Sequence, residues 1–162
     1  MAETLGSLID KLSIKNLRYW HLDELIQQEN SSDLKTEELK AKLTIVESQR
    51  KDLLNEIDTF LAAALAGEVK VCDEKVKLYR NTNVSSLENV SKLGEAVSEL
   101  AMSNTRIWHL EDEVRREDLL DSEIVKLKRK IDQNNQERCN LVDKVDEILQ
   151  QATNQKTQDN LI

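Results

Sequence analysis

Two stretches of the chain repeat a set of side chains that could do chemistry. Each places an asparagine, an arginine, a tryptophan, a histidine and two carboxylates within nine residues. The stretches read Asn16-Leu17-Arg18-Tyr19-Trp20-His21-Leu22-Asp23-Glu24 and Asn104-Thr105-Arg106-Ile107-Trp108-His109-Leu110-Glu111-Asp112. A histidine and a carboxylate three positions apart share one face of a helix, where they could ligate a metal ion or transfer a proton. A chemical site and a purely structural role are both open at this point.

A metal site is disfavoured by the order and direction of these residues. Helical bundles that hold two metal ions use Glu-x-x-His with both side chains directed inward, whereas here the histidine comes first. At about 100° per residue, His21 lies roughly 140° round the helix from Asn16, away from the expected interior. Cys139 follows Arg138, but no histidine is tied to it as a base. We therefore expect no metal ion, no cofactor and no nucleophilic catalytic pair.

The two stretches belong to an internal duplication with a constant offset of 88 residues. Residues 5–61 and 93–149 are identical at 17 of 57 positions, and both copies keep the rare tryptophan. Such a repeat indicates two copies of one structural unit. We predict one domain over 1–162, with repeats at about 4–66 and 86–152, a connector at about 67–85 and a polar tail at 153–162.

Composition and periodicity favour helices. The 162 residues include no Pro and three Gly, too few turn residues for a β fold. Each repeat reads as two helices, expected at about 4–28, 34–66, 86–117 and 122–152, with caps at Thr4 and at Ser85 with Glu88. A short helix could also cross 74–79. We predict an all-α fold, a four-helix bundle of two antiparallel hairpins.

Polar residues interrupt the heptad seams along these predicted helices. Both repeats place an asparagine and a carboxylate in the first seam and an arginine in the second. A buried arginine needs partners, because an unpaired buried charge is strongly destabilising. We predict a central polar layer, either a register-fixing structural feature or a duplicated ligand site, of Asn16, Arg50, Asn104 and Arg138, with Asp23 beside Lys40, Glu111 beside Lys128, and Trp20 and Trp108 flanking.

A second pair of residues recurs on the outer side of the first helix of each repeat. Arg18 and His21 return as Arg106 and His109, with apolar neighbours in the first copy. This pattern predicts a second contact surface for the connector, another subunit or a partner helix. Ordinary surface pairing, such as His21 with Glu24, is the alternative.

The second repeat resembles the bacterial domain-of-unknown-function 4254 family in two motifs. They are Trp-His-x-Glu-Asp from Trp108 and Asn-Gln-x-Arg-x-Asn from Asn135. The resemblance implies a helical fold and supplies no reaction. Two copies stand here where one is expected, and the first copy reads Glu47-Ser48-Gln49-Arg50 at the second motif. The resemblance therefore favours the second copy as the better candidate for an intact site.

Charge and hydropathy exclude several classes of function. A net charge of -8 without a dense basic patch disfavours nucleic acid as a partner. No apolar run approaches the ~18 residues of a membrane span, and the N-terminus lacks a signal-peptide pattern. Cys72 and Cys139 make neither a disulfide framework nor a zinc motif. We expect a non-enzymatic cytoplasmic helical protein that binds proteins, by self-association or within a larger assembly. The alternative is an enzyme or small-molecule binder that uses the duplicated side chains.

Overall fold

The structure, a computed structural model, describes residues 3–28, 34–72, 87 and 89–159. These residues form an all-α fold with four helices: α1 Leu5–Gln28, α2 Leu34–Leu65, α3 Leu93–Val114 and α4 Asp121–Asp159. The predicted fold class is confirmed. Within the described ranges, no helix is long and apolar enough to cross a membrane.

The first helix begins where its capping residues predict. The hydroxyl of Thr4 accepts a hydrogen bond from the Ser7 backbone N–H at 3.3 Å, which satisfies one of the unpaired donors at a helix N-terminus. The Glu3 carboxylate accepts hydrogen bonds from the Lys11 ammonium at 2.6 Å and the Ser7 hydroxyl at 2.7 Å. Both hydrogen bonds lower the pKa of Glu3, and the bond from Lys11 has the larger effect.

Two predicted helix boundaries are wrong. α3 begins at Leu93 rather than near 86, and the Glu95 carboxylate accepts the Ser91 and Lys92 backbone N–H groups, each at 3.4 Å. α4 continues through the predicted polar tail to Asp159, because no Gly or Pro interrupts its sequence. The predicted cap residues Ser85 and Glu88 and the short helix at 74–79 lie outside the described residues.

Each repeat folds as an antiparallel pair of helices. In the first, Lys15 and Asn16 pair with Gln49 and Arg50, while Leu8 lies near the other end of α2 at Phe60. In the second, the equivalent pairing joins α3 to α4 through Glu111–Lys128 at 3.6 Å and Arg106–Glu137 at 3.9 Å. The predicted Glu111–Lys128 pair is confirmed.

A charged turn joins the two helices of the second repeat. The Arg116 guanidinium donates to the Asp118 carboxylate from Nε at 3.0 Å, and the Glu123 carboxylate accepts the Leu120 N–H at 2.9 Å. The hydrogen bond lowers the pKa of Asp118 and raises that of Arg116. This turn fixes where α4 begins.

The two hairpins dock mainly through α1, with a smaller contribution from α2 and the residues after it. α1 packs against α2, α3 and α4, whereas the described part of α2 packs extensively on α1 only. The main apolar cluster lies where α1 begins and includes Leu5, Phe60, Ala96, Val145 and Leu149. The second repeat therefore sits on one side of α1, and much of the surface of α2 remains uncovered.

Candidate functional site

A close contact between the repeats lies at Gly6, near the start of α1. Its backbone N–H donates to the Asp146 carboxylate of α4 at 2.7 Å, and both residues are buried. A Cβ built on Gly6 would lie 2.3 Å from the Val142 carbonyl oxygen, far inside van der Waals contact. Glycine is therefore required for α1 to approach α4 this closely.

One turn further along α1, Asp10 connects it to both helices of the second repeat. Its carboxylate accepts a hydrogen bond from the Asn104 side-chain amide at 2.8 Å and lies 4.0 Å from the Arg138 guanidinium. Asn104 is 4% exposed, so this hydrogen bond satisfies a polar group that water cannot reach.

The third contact is an aromatic stack. The His21 ring of α1 lies parallel to the Trp108 ring of α3, with centroids 4.5 Å apart and an interplanar angle of 7°. His21 also lies 3.5 Å from Glu24 on its own helix. His21 thus lies on a contact surface, as predicted, but the second repeat covers this surface rather than the connector, another subunit or a partner helix.

We call Gly6, Asp10 and His21 the docking face of α1. The receptor face on the second repeat consists of Asn104, Trp108, Arg138, Val142 and Asp146. Six of these eight residues have an identical counterpart in the other repeat, Val142 corresponds to Leu54, and Asp10 corresponds to Ser98. An open docking face consists of Gly94, Ser98 and His109, and an open receptor face consists of Asn16, Trp20, Arg50, Leu54 and Asp58.

The described part of the chain leaves the open faces largely uncovered. Trp20 is 54% exposed and Leu54 48% exposed, while Asp58 and His109 are exposed as well. A Cβ on Gly94 would meet no atom of the described residues within 4 Å. Most of these residue types are thus engaged in one repeat and exposed in the other.

The predicted single polar layer is not formed. The Arg50 guanidinium donates to Asn16 at 2.7 Å and lies 4.6 Å above the Tyr19 ring. Asn104 and Arg138 instead meet Asp10. No hydrogen bond among the described residues links these two groups, because the hairpins dock along α1 rather than seam to seam.

Other predicted site residues lie apart from one another. Asp23 accepts from Gln27 at 2.8 Å, and Lys40 pairs with Glu37 on its own helix, so the expected Asp23–Lys40 contact is wrong. Neighbours one turn away on the same helix are closer than those across the hairpin. Arg106 pairs with Glu137 of α4, while Arg18 lines a groove.

That groove lies between α1, α2 and Trp108 and has a volume of about 450 Å³. Lys15, Arg18 and Lys42 supply cationic side chains, and Leu25 and Ile45 supply apolar surface. No Asp or Glu of the described residues lines the groove. The sequence-based expectation favoured the second repeat as the site, but all of this lining except Trp108 comes from the first.

The described part of the chain contains no cluster of metal ligands and no disulfide. No three His, Cys, Asp or Glu side chains there cluster as metal ligands. Cys72 and Cys139 are exposed and form no disulfide. The Cys72 thiol lies 3.6 Å from the Asp146 carbonyl oxygen, to which it donates.

The sequence analysis did not identify Gly6, Asp10 and Asp146 as residues that join the two repeats. Gly6 and Asp146 were visible as duplicated positions, with Gly94 and Asp58 as their counterparts, but nothing in the sequence pairs them across repeats. Asp10 gave no signal at all, because Ser98 stands at its equivalent position.

Four helices, an internal repeat and a glycine-mediated contact between its copies define an all-helical tandem-hairpin protein. The model of the family described as "Protein of unknown function (DUF4254)" matches residues 1–72 and 94–161, in two segments consistent with a tandem duplication. The chain belongs to this family. No curated protein and no solved structure matches it.

Proposed function

We propose that this protein is a non-enzymatic assembly subunit, and that its partner is a second copy of the same chain. The open docking face of the second repeat binds the open receptor face of the first repeat in another copy. The observation that supports this most is that each open face repeats a face already engaged within the chain. Each chain therefore presents one open docking face and one open receptor face that are complementary to each other.

The key residues of the internal contact are kept in the open faces. Gly94 and Asp58 are the counterparts of Gly6 and Asp146. Gly94 is the second residue of α3, where backbone N–H groups have no intrahelical acceptor. A carboxylate near such a helix N-terminus is also favoured by the helix dipole. A partner's Asp58 would thus repeat the hydrogen bond that joins Gly6 to Asp146.

The aromatic and apolar members also correspond. His109 would stack on a partner's Trp20, as His21 stacks on Trp108. Leu54, which is 48% exposed, would meet the start of α3 as Val142 meets Gly6. Burial of apolar surface is the dominant favourable contribution to most protein association, and Trp is enriched among the residues that contribute most to interfaces.

The contact between repeats joins two different faces, so it is heterologous. Heterologous contacts close into rings when the rotation allows, and otherwise form open filaments. Two chains that each supply one open docking face and one open receptor face could close a ring of four hairpins. We propose this closed dimer, because it leaves neither face exposed.

Analytical ultracentrifugation of the wild-type chain and a Gly94→Ala variant tests the proposal. A methyl group at this position meets none of the described residues within 4 Å, so we expect the fold to persist. In the assembly it would collide with a partner's Leu54 carbonyl, by analogy with the 2.3 Å clash at Gly6. We expect a dimer for the wild type and a monomer with unchanged helicity for Gly94→Ala. Glu99→Ala, an exposed change elsewhere on α3, is the matched control.

Asp58→Asn provides a second, electrostatic probe of the same contact. It keeps the side-chain shape but removes the charge that favours the partner's helix N-terminus, so it should weaken assembly less than Gly94→Ala does. A monomeric wild type at about 100 µM would contradict the proposal, since this concentration far exceeds the Kd of ordinary specific complexes. Equal assembly of wild type and Gly94→Ala would contradict it as well.

A protein partner and a cytoplasmic location complete the proposal. The net charge of -8 supports a protein rather than nucleic acid as the main partner, because phosphate contacts need clustered cations. Exposed thiols at Cys72 and Cys139 without a disulfide support a reducing compartment.

A further inference from the structure

The groove between α1, α2 and Trp108 is independent of the proposed assembly contact. Its residues Lys15, Arg18, Lys42, Leu25 and Ile45 belong to neither open face. We infer that this groove binds a small amphiphilic anion, that is, a phosphate or carboxylate group on a hydrocarbon body. The volume of about 450 Å³ is within the range of small-molecule sites.

Unbalanced positive charge in the groove favours an anion. The chain as a whole carries a net charge of -8, yet three cationic side chains line this groove and no carboxylate of the described residues does. Lys15 donates one hydrogen bond to Gln49 at 2.6 Å, which leaves its other ammonium protons available. Arg18 and Lys42 form no hydrogen bond or ion pair with the described residues. Cations gathered in a concave, partly apolar site attract anions and bind them more strongly than on an open surface.

The apolar surface of the groove favours a ligand with a hydrocarbon body over a bare ion. Leu25 is 46% exposed and Ile45 is 58% exposed, above a buried Val46. A hydrocarbon chain laid across these side chains would remove apolar surface of both molecules from water. Trp108 forms part of the wall, and its indole N–H is buried without an acceptor. A ligand oxygen reached by a small shift of this ring would satisfy that donor.

The combination of cationic and apolar side chains in this groove is not repeated in the second repeat. Ser103, Glu113, Gln133 and Glu137 stand where the first repeat has Lys15, Leu25, Ile45 and Gln49. The equivalent surface is therefore more acidic and less apolar, and its Arg106 already faces Glu137 at 3.9 Å. One amphiphilic-anion site is expected in each chain.

Isothermal titration calorimetry with three probes tests both halves of the inference on the full wild-type chain. The probes are hexyl phosphate, inorganic phosphate and hexanol, used below micelle-forming concentrations. We expect hexyl phosphate to bind at one site per chain, at least tenfold more tightly than either other probe. Equal binding of inorganic phosphate would overturn the role of the apolar surface, and equal binding of hexanol would overturn the role of the cations. No binding of hexyl phosphate would overturn the site.

Two matched pairs of variants locate the site and separate it from assembly. Arg18→Gln with Lys42→Gln should weaken hexyl phosphate at least tenfold, whereas the counterpart changes Arg106→Gln and Lys130→Gln should not. Ile45→Asp should abolish this binding and leave the sedimentation behaviour unchanged. Leu54 is similarly exposed but lies nine residues further along α2 and thus on its opposite side. Leu54→Asp should therefore prevent assembly and leave hexyl phosphate binding unchanged. Equal loss of ligand in both aspartate variants would place the ligand elsewhere.

Discussion

A methyl group at Gly6 should destabilise the protein, while the same change at its duplicate, Gly94, should not. Both glycines are the second residue of a helix, so their local helix propensities are matched. They differ in surroundings. A Cβ at position 6 would lie 2.3 Å from the Val142 carbonyl oxygen and 3.1 Å from an Asp146 carboxylate oxygen, whereas one at position 94 would meet no atom of the described residues within 4 Å.

The size of the effect follows from three contributions. Alanine is more favourable than glycine within a helix by up to about 1 kcal/mol, which both variants gain. At position 6, relief of the clash requires α1 to move roughly 1 Å away from α4, and overpacking of this kind costs about 1–3 kcal/mol. The same movement weakens the hydrogen bond from Gly6 to Asp146, a charge-assisted bond worth about 1.5–3 kcal/mol. We expect Gly6→Ala to lower the free energy of unfolding by about 2–4 kcal/mol and Gly94→Ala to leave it equal or slightly higher.

Urea denaturation followed by circular dichroism at 222 nm measures the difference. It should be run at about 1 µM protein, so that self-association contributes little. With a slope of about 1–3 kcal/mol/M for a protein of this size, the Gly6→Ala midpoint should fall by about 1 M or more. If Gly6→Ala is as stable as Gly94→Ala, then α1 and α4 do not approach as closely as the structure places them, and the docking face is incorrectly assigned.

Two further predictions concern side chains on α1 and just before it. Asp10→Ala should destabilise the protein by about 1–3 kcal/mol in the same assay, because buried Asn104 loses its acceptor, whereas Ser98→Ala at the duplicate position should stay within about 0.5 kcal/mol of wild type. In Lys11→Met, an NMR titration should show the pKa of Glu3 returning upward toward its ordinary value. Because the pKa of Glu3 is lowered, its ionised form stabilises the fold at pH values above the ordinary glutamate range. This stabilisation is lost as the pH falls through the lowered pKa. Lys11→Met should therefore lose less stability on acidification. An unchanged Glu3 pKa in this variant would contradict the pairing with Lys11.

The helices could be predicted from the sequence because their signals are local. Thr4 and the break at Gly67 are sufficient to fix both ends of the first hairpin, and Gly67 has the positive φ of 75° expected after a helix. The start of α3 was predicted wrongly because Ser85 and Glu88 match a capping pattern, whereas Glu95 supplies the hydrogen bonds seen in the structure. Two competing local signals cannot be ranked without the packing around them.

The docking of the hairpins could not be predicted, because it depends on pairs of residues 140 or 94 positions apart. The heptad seams correctly predicted that Asn16 faces Arg50, since that contact lies within one hairpin. They gave no basis for choosing between a symmetric docking of the two hairpins and the asymmetric docking along α1. Asp10, which has no duplicate, is one residue that makes the two repeats unequal.

Because the docking is asymmetric, identical residues at equivalent positions of the two repeats have different surroundings. Their roles therefore cannot be assigned from the sequence alone. Asn16 and Asn104 are the same residue in the same repeat position, yet Asn16 is exposed and Asn104 is 4% exposed beneath α1. A symmetric docking would have used both docking faces and both receptor faces once, and would have left no complementary surface. Asymmetric docking uses one of each, so the remaining pair is available for a second chain. The same geometry leaves the cationic groove between α1, α2 and Trp108 open. Docking mainly through α1 therefore accounts for both proposed binding surfaces, and an experiment that disproved it, such as a fully stable Gly6→Ala variant, would remove the physical basis for both.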